Sequence, residues 1–202
     1  MDEQGGWCSH RSLPEANYGQ ERGEFGLDGD ARLMVASTME STVAAILAYG
    51  KGILAADESF PTIEKRFKAL NIASTEEDRR DYRELLFTTP GLGEFISGVI
   101  LFDETIRQPT KGGVPMPEVL TKQGIIPGIK VEKGTIALAN FADEKITQEL
   151  DGLRDRLIEY RGLGARFTKS RAVIAIGEHI SSQTCVEANA LALFAALSQE
   201  AR

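Results

Sequence analysis

Four charged side chains lie at or inside short apolar runs of this sequence. Asp57 closes the run in GKGILAADES, Lys130 lies within PGIKVEKG, and Lys169 and Arg171 lie in FTKSRAVIAIG. An ammonium group in an apolar run is costly unless it is paired or faces a wet cavity. Lys169 and Arg171 are two residues apart, so on a strand they would point to the same face. One carboxylate and three cations that converge would suit an anionic substrate, such as a phosphorylated one.

The lysines of this group could also carry proton transfer or covalent chemistry. Neighbouring cations lower the pKa of a lysine, and a neutral amine can accept a proton or form an imine. Each residue has an ordinary structural explanation as well. Asp57 could begin the turn before the next helix, and the aliphatic stem of Lys130 could carry its ammonium group to solvent. Lys169 and Arg171 could form surface ion pairs where a strand begins.

Hydroxyl and basic side chains follow Asp57 at the start of a predicted helix. Ser59 and Thr62 come first, and Lys65 and Arg66 lie in the next turn. The two hydroxyls could act only as helix caps. A helix start with free amides, hydroxyls and nearby cations is equally suited to bind an anion.

Several other polar residues are interpreted as structural. Glu132 and Lys133 are expected to be solvated turn residues, and the lone His10 and His179 have no partner for catalysis. The two cysteines form no CxxC pair and have no histidine at metal-ligand spacing, so we expect free thiols and no metal or other cofactor.

Composition limits the classes of function that need to be considered. The chain has 202 residues, of which 42% are hydrophobic, and a net charge of -7. This balance favours a globular protein and disfavours nucleic acid as the main partner. No stretch reaches the roughly 18 apolar residues of a membrane span, and the N-terminus lacks a secretory pattern. We therefore expect a cytoplasmic protein without a membrane partner.

The elements that must position these side chains alternate between strands and helices. Strands are predicted at 52–56, 98–102, 128–131 and 172–176, after a disordered tail over residues 1–32 and an opening helix from 33 to about 50. Short apolar runs joined by helices are typical of parallel strands buried on both faces. A small doubly wound sheet and part of an eight-stranded barrel both fit. Charged residues at three of the four strands favour the barrel, whose active sites form at the carboxyl ends of strands.

Helix boundaries follow from capping and spacing. Ser74 to Glu77 is predicted to be a capping box with its apolar stripe at Tyr82, Leu85 and Leu86. A helix is expected over about 147–161, and a second capping box at 184–187 would open a helix that runs to the C-terminus.

Longer motifs give these segments a family resemblance. GKGILAADES, STEEDRRDYRELLFT, ISGVILFDET, IPGIKVEKG and GARFTKSRAVIAIGEH resemble class I fructose-bisphosphate aldolase in that family's order and spacing, over residues 50 to about 200. The resemblance implies a (β/α)8 TIM barrel, here about its first four strand–helix units within residues 33–202. It implies reversible cleavage of fructose 1,6-bisphosphate into dihydroxyacetone phosphate and glyceraldehyde 3-phosphate, in glycolysis and gluconeogenesis.

The resemblance also assigns expected roles. Asp57 is similar to the aspartate that orients and helps deprotonate the intermediate, and Lys130 and Lys169 are similar to lysines that bind substrate and support its charge. Arg171 and Ser59 resemble residues that contact substrate phosphate, and so does Thr62, which stands where the family usually has a serine. Lys65 and Arg66 match a basic pair on the following helix. The catalytic candidates are therefore Asp57 and Lys169.

Two departures from the family pattern limit this expectation. Thr168 and Ser170 replace the alanine and tryptophan usual on either side of Lys169. The family's imine-forming lysine and glutamate pair belong to later strands, whose motifs the 202 residues do not contain. We therefore expect an aldolase N-terminal half that is inactive alone. Two alternatives remain: a non-catalytic half barrel that binds sugar phosphate or assembles as a homo-oligomer, and imine formation at Lys169.

Overall fold

The computed structural model describes residues 39–173 and 183–201. The predicted tail, the two histidines and the part of the opening helix before residue 39 lie outside the described residues, as do the side chains of the predicted capping box at 184–187. The helices are α1 Met39–Ile46, α2 Phe60–Ala69, α3 Glu76–Phe87, α4 Leu92–Phe95, α5 Asp103–Arg107, α6 Met116–Lys122, α7 Leu153–Gly162 and α8 Gln183–Glu200. The strands are β1 Gly52–Ala56, β2 Ile96–Leu101, β3 Ile126–Lys130, β4 Thr135–Leu138, β5 Phe141–Thr147 and β6 Phe167–Lys169.

Four of these strands form one sheet in the order β1-β2-β3-β6. All three pairings are parallel, with Ala56 opposite Leu101, Leu101 opposite Ile129, and Lys130 opposite Lys169. Each connection between them contains at least one helix. This confirms the predicted α/β architecture. The first strand has its predicted bounds, and β2 and β3 each begin two residues earlier than predicted.

The fourth strand lies earlier in the sequence than predicted. Phe167 pairs with Gly128 and Lys169 with Lys130, whereas Ala172 lies outside any strand and residues 174–176 are not described. The predicted strand at 172–176 is therefore wrong for its described part. A close approach helps to fix the observed register, because a Cβ atom on Gly128 would lie 2.3 Å from the ring of Phe167. Only glycine allows that ring to cover β3.

A β-hairpin precedes the helix predicted over 147–161, and that helix begins later than predicted. Strands β4 and β5 pair in antiparallel fashion, with Thr135 opposite Thr147, and α7 begins only at Leu153. The hairpin turns at Asn140, whose φ is 66°. Its strands mix small, charged and apolar residues, so the alternation that identifies a strand is weak.

Helix α3 begins one residue later than its predicted capping box. Thr75 is the N-cap, and its hydroxyl accepts a hydrogen bond of 3.1 Å from the Asp78 amide. The same hydroxyl donates to the Asp78 carboxylate at 2.6 Å. Ser74 is therefore not the cap, because Asp78 rather than Glu77 completes the reciprocal pair.

The buried face of α3 also differs from the predicted stripe. Leu85 is 70% exposed, whereas Phe87 is fully buried and Arg83 is only 2% exposed. The hydrophobic core joins β1, β2 and β3 to α3, α5, α6 and α7. It contains Ala56, Phe87, Val99, Leu101, Ile106, Met116, Leu120, Ile125, Ile129, Val131, Leu153, Leu157, Tyr160 and Ala165. Because an arginine takes the place of an apolar side chain at the edge of this core, it needs polar partners there.

Candidate active site

The carboxyl ends of β1, β3 and β6 bring three of the predicted site residues together. Asp57 follows the last residue of β1, and Lys130 and Lys169 are the last residues of β3 and β6. Carboxyl ends of parallel strands meet at one edge of a sheet, and Lys130 and Lys169 are direct register partners. The three side chains therefore form one cluster at this edge.

Asp57 is the centre of this cluster. Its Oδ2 atom lies 3.1 Å from Lys169 Nζ and 3.6 Å from Lys130 Nζ. Lys130 also donates a hydrogen bond to the backbone carbonyl of Asp57, and its ammonium lies 5.1 Å from the centroid of the Phe102 ring. The Lys130 side chain is 11% exposed, so it does not extend to solvent as its aliphatic stem could have allowed.

Glu132 completes the cluster, although the sequence interpretation placed it in solvent. Its side chain is 5% exposed, and Oε1 accepts a hydrogen bond of 3.1 Å from Lys169 Nζ. Glu132 Oε2 is buried without a hydrogen-bond partner among the described residues. The expectation of a solvated turn residue was wrong for Glu132, whereas Lys133 is exposed. The signal that could have found Glu132 is its spacing of two residues from Lys130, which keeps side chains on one face of an extended chain.

The cluster thus has two cations and two carboxylates rather than three cations and one carboxylate. Arg171 lies two residues beyond β6, is exposed, and forms no ion pair with the described carboxylates. Arg171 and Lys169 therefore do not share one face of a strand, as the sequence had predicted. The strand ends at Lys169, because its pairing with β3 ends at Lys130.

This charge balance determines the protonation of Lys169. Burial alone would lower the pKa of Lys169, but hydrogen bonds from its ammonium to Asp57 and Glu132, and their negative charges, raise the pKa above its ordinary value. The expectation of a lysine with a lowered pKa is wrong for this arrangement. Lys169 is an ammonium group at neutral pH, suited to bind an anion or to stabilise developing negative charge rather than to attack a carbonyl.

The predicted hydroxyl pair lies at the start of α2. Ser59 is the N-cap residue by backbone geometry, but its hydroxyl makes no capping hydrogen bond and lies 3.2 Å from the Thr62 hydroxyl. The two hydroxyls are thus a pair beside a helix N-terminus. Arg66 is paired with Glu58, and Lys65 is exposed without an ion pair in the described parts of the chain.

A buried ion pair that the sequence analysis missed lies behind Asp57. Arg83 Nη2 lies 2.8 Å from Glu58 Oε2, and the two side chains are 2% and 6% exposed. Tyr82 donates to Glu58 Oε1 at 3.3 Å. Burial lowers the pKa of Arg83, and the Glu58 carboxylate opposes that effect. Arg83 stands in an acidic and basic stretch of α3 that is typical of a solvated helix face, so local sequence pattern does not indicate its burial.

The described residues contain neither a metal-ligand cluster nor a helix that could span a membrane. Within residues 39–173 and 183–201, His, Cys, Asp and Glu side chains form no group of three that could hold a metal ion. No helix in the same residues combines the length and the apolar character that a membrane span requires.

Comparisons with known proteins match most of the chain. A sequence model of the family described as "Glycolytic: Fructose-bisphosphate aldolase class-I" matches residues 38–202. The "Probable fructose-bisphosphate aldolase class 1" of Xanthomonas axonopodis pv. citri is 61% identical over 164 residues, 80% of this chain and 49% of that protein. The "Fructose-bisphosphate aldolase 6, cytosolic" of Arabidopsis thaliana is 49% identical over 167 residues, 82% of this chain and 47% of that protein.

A solved structure has the same fold over the same share of the chain. Fructose-bisphosphate aldolase from Plasmodium falciparum, crystallised with TRAP and a small molecule inhibitor, matches with a TM-score of 0.77 and 47% identity. The match covers 80% of this chain and 48% of that chain. The likeness confirms the predicted fold class, part of an α/β barrel, and the chain spans about half the length of the curated relatives it matches.

Proposed function

Since this chain belongs to the class I fructose-bisphosphate aldolase family, we propose that it takes part in the reversible cleavage of fructose 1,6-bisphosphate, in glycolysis and gluconeogenesis. The family match confirms the resemblance found in the sequence. The chain spans about half of its relatives, so its own proposed share is to bind the sugar phosphate and to stabilise charge at the reacting carbons.

The cluster of Asp57, Lys130, Lys169 and Glu132 carries this proposal. Two ammonium groups and two carboxylates meet where parallel strands end, which is where barrel enzymes place their chemistry. Lys169 remains charged because Asp57 and Glu132 raise its pKa above the ordinary value despite burial, so it can bind a substrate oxygen and stabilise negative charge that develops there. Asp57 is held between the two ammonium groups, in a position to accept a hydrogen bond or a proton from a substrate hydroxyl.

The proposed phosphate contacts lie around this cluster. The paired hydroxyls of Ser59 and Thr62 stand beside the N-terminus of α2, where the helix dipole favours an anion. Arg171, Lys65 and Arg66 are the remaining proposed contacts. Arg171 and Lys65 are exposed, and Arg66 would have to share its guanidinium between substrate and Glu58.

The family's cleavage proceeds through an imine, and Lys169 is a poor candidate for that role. An amine must be neutral to attack a carbonyl, and two carboxylates keep this one protonated. The proposal therefore assigns binding of the sugar phosphate and stabilisation of charge to this cluster, and it gives Lys169 no imine-forming role. A cytoplasmic location is proposed as well, in keeping with the printed name of the Arabidopsis thaliana relative.

Calorimetric titration of the 202-residue chain with fructose 1,6-bisphosphate tests the binding proposal. We expect saturable binding that Lys169→Met weakens by about tenfold to a hundredfold, because it removes one charged hydrogen bond. Lys122→Met is the matched control, since Lys122 pairs with Glu118 on the exposed face of α6. Equal affinity in both variants, or no binding by the unchanged chain, would contradict the proposal. Borohydride trapping with dihydroxyacetone phosphate should leave Lys169 unlabelled.

A further inference from the structure

Three successive backbone carbonyls around Asp57 are each bound by a buried or half-buried cation. Arg83 Nε donates to the Ala56 carbonyl at 2.9 Å, and Arg83 Nη2 donates to the Glu58 carbonyl at 3.2 Å. Lys130 donates to the Asp57 carbonyl between them. The carbonyls on either side of Asp57 therefore point to the arginine, and its own carbonyl points to the lysine.

These contacts fix the backbone of Asp57 from both sides. The Ala56 carbonyl belongs to the peptide plane before Asp57, and the Asp57 carbonyl belongs to the plane after it. Because peptide planes are rigid, the orientation of these two planes sets φ and ψ of Asp57 and hence the direction of its side chain. Arg83 thus holds one of the two planes that aim the carboxylate.

The guanidinium of Arg83 is itself held in place. Glu58 Oε2 lies 2.8 Å from Nη2, and the Glu58 carboxylate is fixed in turn by Tyr82 and Arg66. A planar guanidinium can donate to two carbonyls and face a carboxylate at the same time, which the single ammonium of a lysine does not reproduce. The arrangement therefore depends on arginine and not on positive charge alone.

We propose that Arg83 is a positioning residue that aims the Asp57 carboxylate at Lys169 and Lys130 by holding the carbonyls of Ala56 and Glu58. The proposal rests on the proposed function only in that the Asp57 cluster is taken to be the site. Arg83 itself is buried between α3 and the end of β1, and this role requires no contact between Arg83 and substrate.

The test measures Lys169 without any ligand. Trace labelling of the 202-residue chain with acetic anhydride at pH 8, followed by peptide mass spectrometry, reports how readily each lysine is deprotonated and reached. In Arg83→Lys the Asp57 carboxylate should turn away from Lys169. The labelling rate of Lys169 should then rise by about threefold to tenfold, since loss of a nearby opposite charge lowers the pKa of a lysine. Lys122 in the same sample is the internal reference and should not change.

Arg80→Lys is the matched control variant. Arg80 lies on the same helix and forms ion pairs with Glu77 and Asp81, and no hydrogen bond or ion pair among the described residues joins it to β1. Unchanged labelling of Lys169 in a folded Arg83→Lys protein, or an equal rise in Arg80→Lys, would overturn the proposal. If circular dichroism shows that Arg83→Lys does not fold, Glu58→Gln serves instead, because it frees the guanidinium and leaves both carbonyls in place. In Glu58→Gln we expect a smaller rise in the labelling rate of Lys169, and an unchanged rate would also overturn the proposal.

The same labelling separates this inference from the proposed function. Fructose 1,6-bisphosphate should protect Lys169 in the unchanged chain if the cluster binds sugar phosphate. Absence of protection would count against the proposed function alone, because the effect of Arg83→Lys is measured without ligand.

Discussion

An arginine from each of two helices binds the carboxyl end of a strand, but the two arginines have different partners there. Arg83 of α3 donates to the Ala56 and Glu58 carbonyls, one on β1 and one just beyond it, and faces the buried Glu58 carboxylate. Arg156 of α7 donates to the Val131 carbonyl just after β3 and to the Glu149 carbonyl in the loop before its own helix.

The difference shows how strongly each strand end depends on distant parts of the chain. The end of β1 is held by Arg83 from one helix, α3, and by Glu58, which directly follows Asp57 and pairs with that arginine. The end of β3 is tied through Arg156 to residues 149 and 151, which follow the β4–β5 hairpin. The hydrogen bonds from Arg156 to the carbonyls at 131, 149 and 151 involve no carboxylate. The positive charge of Arg156 also acts on Asp103, but that side chain is 47% exposed and is paired with Arg107. Loss of Arg156 would therefore leave no buried carboxylate without its cation.

The largest expected effect is at the β1 end. Arg83→Met should lower the free energy of unfolding by about 3–5 kcal/mol, because it removes the buried cation that faces Glu58 and leaves only the exposed Arg66 to pair with that buried carboxylate. Urea denaturation followed by circular dichroism measures this loss. The double variant Arg83→Met/Glu58→Met should recover part of it, since an apolar pair can replace a buried ion pair. A loss below about 1 kcal/mol for the single variant would show that the pair behaves as an exposed one does.

A smaller effect is expected at the β3 end. Arg156→Met should cost about 1–3 kcal/mol, the range for leaving buried hydrogen-bond acceptors unsatisfied. Urea denaturation under the same conditions allows a direct comparison. If Arg156→Met proved as costly as Arg83→Met, the contrast between a charge pair and carbonyl acceptors would not explain the stability of the two strand ends.

Much of this architecture could be predicted from the sequence, because the buried strands are short apolar runs. GILAA marks β1 with its observed bounds, and the runs of β2 and β3 mark those strands within two residues. The strand β6 could not be placed in the same way, since its three residues FTK carry little apolar pattern and owe their extended form to pairing with β3. The hairpin was missed for a similar reason.

Residues of the candidate site could be predicted where a charged residue interrupts an apolar run. They could not be predicted where a charged residue lies among other charged residues. Asp57 and Lys130 stand out for that reason, and Lys169 stands out because it precedes the apolar run at 172–176; the structure brings the three together. Glu132 and Arg83 lie in polar stretches whose usual meaning is a solvated surface, yet both are buried. Their burial depends on partners from distant parts of the chain, Lys169 and Glu58, which local periodicity does not reveal.

The smallest effects are expected at the starts of the same two helices. The N-cap residue of α3 is Thr75, whose hydroxyl accepts from the Asp78 amide, whereas the N-cap residue of α7 is Gly152, with φ of 60° and no side-chain cap. Thr75→Ala should cost about 1 kcal/mol through the lost cap. Gly152→Ala should cost about 1–2 kcal/mol through the left-handed backbone alone, because a Cβ atom there would meet nothing within 4 Å.

Ser74→Ala is the control for the α3 cap, since the sequence had placed the cap at that residue. Ser74 should change the free energy of unfolding by less than about 0.5 kcal/mol, as surface substitutions away from special features do. A larger loss in Ser74→Ala than in Thr75→Ala would restore the predicted capping box and shift the start of α3 by one residue. Similar small losses at the starts of both helices would show that the two strand ends differ because of the arginines, and not because one helix is better anchored than the other.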